Sequence, residues 1–197
     1  MSVMMDYVAS GIVFGILLIT IASIQVNINS TLYENTFSVR VQGNAVELAY
    51  QLEHDILKAG YHVTTGTSIS VADSTRLTYT SDMNNTGTIT TVSYSTGTTS
   101  QALSTMNPDD FPLFRTEGGT TLTQMWGLTY FKFAYYDSAM DVLDDLPLDG
   151  GDRAKIRNIQ ATFVVQSPEP VISQVDTTWP AITWNKMLVP RNLGVIQ

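Results

Sequence analysis

Apolar and polar positions divide this chain into two regimes. Residues 8–26 are apolar almost without a break and carry no charge, enough at about 20 helical residues to span a bilayer core. Beyond them the apolar positions thin to a stripe. Ile28, Leu32, Phe37, Val41, Ala45, Leu48, Leu52, Ile56 and Ala59 recur mostly three or four residues apart, with Glu34, Arg40, Gln42, Glu47, Gln51, Glu53 and Lys58 largely off that line. The pattern predicts one helix over residues 3–58, stopped by Gly60, with Lys58 in its last turn to suit the helix dipole. At 1.5 Å per residue such a helix is roughly 85 Å long. The rest of the chain cannot cover that length, so the first half must be buried in lipid or among copies of itself.

After Gly60 the period shortens and Thr, Ser, Val and Tyr take over. Short strands are predicted at 67–71, 76–81, 88–95 and 113–116, stronger ones at 129–137 and 156–166, and a last one at 181–189. Residues 82–87 form a turn cluster that makes a hairpin of its flanks, residues 96–110 a loop, and Gly118-Gly119 a break. The segment Ser167-Pro168-Glu169-Pro170 ends the 156–166 strand. A helix followed by strands, with no helices interleaved, predicts an α+β fold: a long hydrophobic-to-amphipathic helix packed on an antiparallel sheet. Residues 1–30 are read as the membrane half of the stem, 31–60 as its amphipathic half, and 61–197 as a β-rich head.

Composition narrows the chemistry. The formal charge of −8 and the scattered Lys and Arg exclude a wide basic face and hence nucleic acid as the expected partner. Absence of cysteine removes disulfide, thiolate-metal and cysteine-nucleophile chemistry. No Lys or Arg precedes Arg40, so a cleaved secretory signal is not expected and the apolar run is read as part of the working protein. His54 lies beside Glu53 and Asp55, but neighbours on a helix do not face each other, so no dyad is expected there. No nucleophile elbow, phosphate loop, dinucleotide fingerprint or zinc motif occurs, and neither enzymatic activity nor a cofactor is expected.

A few residues stand out as candidates for function. Gly11 and Gly15 form a small-xxx-small pair that lets helices approach closely in lipid, with Phe14 and Leu18 beside them for packing. Asp6 is the only acidic residue before Glu34. At the lip of the apolar run it either marks the polar side of the bilayer or pairs, among packed helices, with the α-amino group of a neighbouring copy. Asp141, Asp144, Asp145, Asp149 and Asp152 form a weak calcium candidate, interrupted by apolar residues and lacking EF-hand spacing. Asn29 and Asn84 begin N-glycosylation patterns, the second in a predicted turn and therefore the better placed. The tyrosines and the three tryptophans (Trp126, Trp179, Trp184) are read as strand packing and bilayer-edge anchors.

The hydrophobic N-terminal helix with its early acidic residue resembles that of the type IV pilins and pilin-like (pseudopilin) subunits, most closely the larger minor pilins. Leu52-Glu-His-Asp55-Ile-Leu-Lys-Ala-Gly60-Tyr61 is similar to the helix exit of that class, and the 76–95 hairpin, the aromatic 131–136 segment and Met187-Leu-Val-Pro-Arg-Asn-Leu193 also resemble it. The family carries a glutamate at the fifth position after processing, a place that Asp6 takes only if Met1 alone is removed, and the stem lacks the family's mid-helix proline. The resemblance implies a stem anchored in the inner membrane as precursor, then packed in the core of an extracellular filament with the heads outside. It implies a homo-oligomer as partner, with other pilins or assembly-platform proteins. Two other readings remain: a minor or pseudopilin tip component of a secretion or pilus machine, and a single-span anchored binding module.

Overall fold

The computed structural model describes residues 2–64, 66, 68–102, 105–172 and 176–193. Helix α1 runs without interruption from Ser2 to Leu57. It is long and apolar enough to cross a membrane, its best 18-residue window having mean hydropathy 2.2 and no part buried. Below Val41 the hydroxyls of Ser10, Thr20, Ser30, Thr31 and Thr36 donate to carbonyls three or four residues back. Those polar atoms are thus satisfied inside the helix and cost little in an apolar medium.

Only the upper part of α1 is covered by the rest of the chain. Val41, Ala45, Leu48, Leu52 and Ile56 are buried, whereas Ile28 and Leu32, on the lower part of the predicted stripe, are exposed. Each fully buried Leu or Ile contributes about 1.5–3 kcal/mol, so the last four turns of the helix hold stem and head together. The helix ends at Leu57, one residue before Lys58. Lys58 does not serve the helix dipole as expected, because its Nζ donates to Met83 O at 2.7 Å instead. Gly60 adopts φ +79°, and a Cβ there would lie 2.9 Å from Ser68 Oγ and 3.0 Å from Asn192 O, so the exit turn requires glycine.

The head is an antiparallel sheet that curls around the upper helix. Its strands are β1 (Ile69–Ala72), β2 (Arg76–Ser81), β3 (Thr90–Thr96), β4 (Phe111–Glu117), β5 (Thr120–Tyr136), β6 (Val142–Leu143), β7 (Asn158–Gln166) and β10 (Ala181–Leu188); a separate small hairpin holds β8 (Val171–Ile172) and β9 (Thr177–Thr178). The order is β1-β2-β3-β4-β5-β7-β10, with β6 added on β5. Strand β5 is long because it serves two neighbours: residues 120–124 pair with β4 and residues 130–136 with β7, Leu128 touching both. Between them Gly127 takes φ +78°, and a Cβ there would fall 2.4 Å from Gln166 O. This glycine bulge bends the sheet. Phe133 N–H to Ser74 O and Leu148 N–H to Ala72 O then tie the β1–β2 end back onto β5 and the segment after it.

The α+β expectation holds, with local differences. The predicted 129–137 strand is only the upper half of β5, since the polar run of Thr residues before it gives no apolar alternation. The 67–71 strand begins at Ile69, and Thr67 lies outside the described residues. Residues 150–155, for which the sequence pattern predicts no helix, form the short helix α2, N-capped by the Asp149 carboxylate accepting from Asp152 N–H at 2.8 Å.

Candidate functional site

The surface with most to explain is the lower stem. Phe14 and Leu18 are exposed, and a Cβ built on Gly11 or Gly15 meets nothing within 4 Å. At i, i+3, i+4 and i+7, Gly11, Phe14, Gly15 and Leu18 share one helix face. Asp6, five residues before Gly11, points about 140° away from it at 100° per residue. The candidate residues therefore divide into an apolar, glycine-notched face and a separate carboxylate. Asp6 is exposed, with no ion-pair partner among the described residues.

What holds the stem upright is a polar cluster buried under the upper helix. Asp55 is 3 % exposed. Its Oδ2 accepts from Tyr94 Oη and from Arg115 Nε, both at 2.6 Å. Arg115 also pairs with Glu117 at 2.7 Å. Gln51 donates to Tyr94 Oη and exchanges hydrogen bonds with Gln124. Burial and the adjacent Asp55 carboxylate push the Tyr94 phenol well above its ordinary range. Arg115 is held cationic, its hydrogen bond and charge contact with Asp55 outweighing burial. The cluster joins α1 to β3, β4 and β5 through charge-assisted bonds in a low dielectric. Lower down, Asn44 Nδ2 donates to Trp126 O at 3.1 Å, next to the Gly127 bend; level with the cluster, Lys186 pairs with Glu53 at 2.7 Å.

Sequence reading did not foresee this cluster. Along the sequence Asp55 stands out only as a neighbour of His54 and as part of the helix exit, and nothing marks Arg115 as its partner 60 residues on. The expectation that His54 and Asp55 stay apart is corrected: His54 Nδ1 lies 3.0 Å from Asp55 Oδ1. The Asp55 carboxylate extends far enough along the helix surface to meet its neighbour, but its other oxygen is committed to Tyr94 and Arg115.

A second histidine contact closes the helix exit. His62, at φ 59°, stacks on Tyr61 and sets Nδ1 3.0 Å from Asp82 Oδ2. Asp82, fully buried, also accepts from Thr86 N–H and Gly87 N–H, which shapes the β2–β3 turn. Burial pushes its pKa up, but the His62 hydrogen bond and the two backbone donors outweigh it and hold the carboxyl below its ordinary value. Asn84 is exposed in that same turn.

The acidic run does not converge. Asp149 caps α2, Asp152 pairs with Lys155 at 2.7 Å, and the Asp141 backbone bonds with Asp137. Among the described residues no three His, Asp or Glu side chains come together in a way that could hold a metal ion.

Along the seam between α1 and β10 runs a groove. Its upper part, about 810 Å³, is lined by Lys58, Tyr61, Lys186 and Arg191 among others. Its middle part, about 430 Å³, lies between Val46, Ala49 and Tyr50 of the helix and Ile182 and Trp184 of the strand. No protein-family model matches this chain, and no curated protein is significantly similar to it.

Proposed function

We propose that this chain is the structural subunit of an extracellular filament of the type IV pilus kind, anchored in the inner membrane through α1 before assembly. One observation carries the reading: the head covers α1 only from about Val41 upward, leaving the apolar helix below it bare on every side. Bare apolar helix is stable in lipid or against other apolar helices, and nowhere in water. Lipid is as apolar as the stem, so transfer from one to the other must be driven by close packing at Gly11, Phe14, Gly15 and Leu18 and by a polar contact of Asp6.

Negative-stain electron microscopy of material sheared from producing cells tests this. Regular filaments containing the chain are the expected result. Retention of all the protein in the membrane, without filaments, overturns the polymer. The groove beside Lys58, Lys186 and Arg191 favours a second reading in that event, a membrane-anchored module, or tip subunit, that binds a partner with its head.

A further inference from the structure

The sheet ends at β10, on an edge that the head leaves open. Ser167 N–H donates to Pro180 O at 2.9 Å, one step before the register of Gln166 with Ala181. Opposite residues of an antiparallel pair alternate between bonded and non-bonded, so Ile182, Trp184, Lys186 and Leu188 exchange bonds with β7. The N–H and C=O groups of Ala181, Thr183, Asn185 and Met187 therefore point away from the sheet. Among the described residues no backbone group bonds to them. The opposite edge differs: Leu148 N–H donates to Ala72 O, and α2 lies against β1. An open row of backbone donors and acceptors is a template for a further strand. Strand β10 offers eight residues without a proline, and its one charge, Lys186, is neutralised by Glu53.

Along this edge runs the groove between β10 and α1, and its two walls rise in step. Residues 180–182 of the strand lie beside Asn35 and Val39 of the helix, Trp184 beside Val46 and Tyr50, and Leu188 beside Leu57 and Tyr61. The strand thus climbs in the direction of α1. The middle of the groove is apolar, with Val46 51 % and Tyr50 70 % exposed on its helix wall. Its top is basic. Lys58 Nζ meets a carbonyl rather than a carboxylate, and Arg191 has no ion-pair partner among the described residues. Two uncompensated cations therefore stand at one end of the groove in a chain of net charge −8.

We propose that the β10 edge takes up an extended segment of another polypeptide as an added antiparallel strand. The chemistry of that segment follows from its place. Alternate side chains fall on the face of Ile182 and Trp184, against the apolar groove, and are apolar. Those between them share the face of the exposed Thr183 and Asn185 and are polar. Every pairing in the main sheet is antiparallel, the more stable arrangement per residue. The added strand therefore runs downward from Arg191, and its N-terminal end, beside Lys58 and Arg191, is acidic. A second copy of this chain does not meet that direction. Copies anchored in one membrane have parallel stems, so their β10 strands also run parallel. The proposal holds whether the stems polymerise or stay anchored.

The full chain in detergent is titrated with the fluorescein-labelled peptide Asp-Asp-Thr-Val-Thr-Val-Thr-Val, and binding is read by anisotropy. Saturation with a Kd below about 100 μM is expected. In the added strand the threonine N–H groups face β10 and the valine N–H groups face away. Methylating the threonine nitrogens is therefore expected to weaken binding at least about tenfold, and methylating the valine nitrogens less than about threefold. The peptide in reversed order, with its aspartates at the C-terminal end, is expected to bind at least about threefold more weakly. Thr183→Pro takes one outward N–H from the edge and spares the ladder to β7. It is expected to match the loss from threonine methylation while the unfolding midpoint of the head stays unchanged. Absence of saturable binding, or equal effects of the two methylation patterns, overturns the added strand. Equal binding of the reversed peptide overturns its direction. A solubilised chain that is dimeric, and that Thr183→Pro makes monomeric, places a second copy on the edge and overturns the proposal as well. None of these outcomes bears on the filament, which microscopy decides independently.

Discussion

Two buried carboxylates in the head respond to acid in opposite directions. Asp82 is held below its ordinary pKa by His62 and two backbone donors. It therefore contributes stability above the unfolded carboxylate value, about 3.9, and that contribution is lost as pH falls through the lower folded value. Asp110 is nearly inaccessible, its Oδ1 has no hydrogen-bond partner, and burial, reinforced by Asp109, raises its pKa against the opposing bond from Thr105. Its charge is a cost above the folded value, and stability is gained as pH falls through that value. Unfolding of the detergent-solubilised chain at pH 7 is expected to show Asp110→Asn more stable than the parent and Asp82→Asn less stable. The reverse order contradicts these environments. Neither behaviour was legible in the sequence, because both depend on which distant donors reach a carboxylate.

For the elements, the stem and β5 carry the architecture. Leu48 and Leu32 lie on the same helix, one fully buried by the head and one 59 % exposed. Leu48→Ala is expected to cost about 2–5 kcal/mol of head stability through transfer and cavity terms. Leu32→Ala is expected to leave head unfolding within about 0.5 kcal/mol, as exposed substitutions do. Denaturant titration followed by tryptophan fluorescence separates the two. Asp55→Ala takes from the partly buried Arg115 one of its two carboxylate partners, leaving Glu117, and removes the acceptor of Tyr94; it is expected to cost about 1.5–3 kcal/mol in the same measurement. Gly127→Ala places a methyl against Gln166 O at a positive φ, and a loss of at least about 2 kcal/mol is expected.

At the scale of the molecule, assembly is separable from insertion. Insertion needs only the length and apolarity of α1, whereas the proposed polymer also needs Asp6. Asp6→Ala is therefore expected to reach the membrane in full amount while filament yield falls at least tenfold, read by membrane fractionation beside shearing and microscopy. Equal yield from parent and variant removes Asp6 from the mechanism. The largest apolar surface among the described residues, the lower stem, faces no part of the head, and both insertion and the proposed polymer start from it.

The helix, its approximate length, its end shortly before Gly60 and the β character of the head were set by local pattern, since a 3.6-residue or two-residue period needs only near neighbours to express itself. The bare lower stem followed from the same arithmetic, a helix far longer than any head could cover. The curl of the sheet was decided by tertiary structure, because the bend at Gly127 answers to the approach of Gln166, 39 residues on. So was the anchoring of Asp55 by Tyr94 and Arg115, a pairing of partners that no spacing along the chain announces. The apolar residues of the upper helix that stay exposed, Val46, Tyr50 and Leu57, belong to both. Their recurrence is in the sequence, but only the placement of the head against the face of Val41, Leu48 and Leu52 leaves them uncovered, since a periodic pattern says that a face is apolar and not what lies against it.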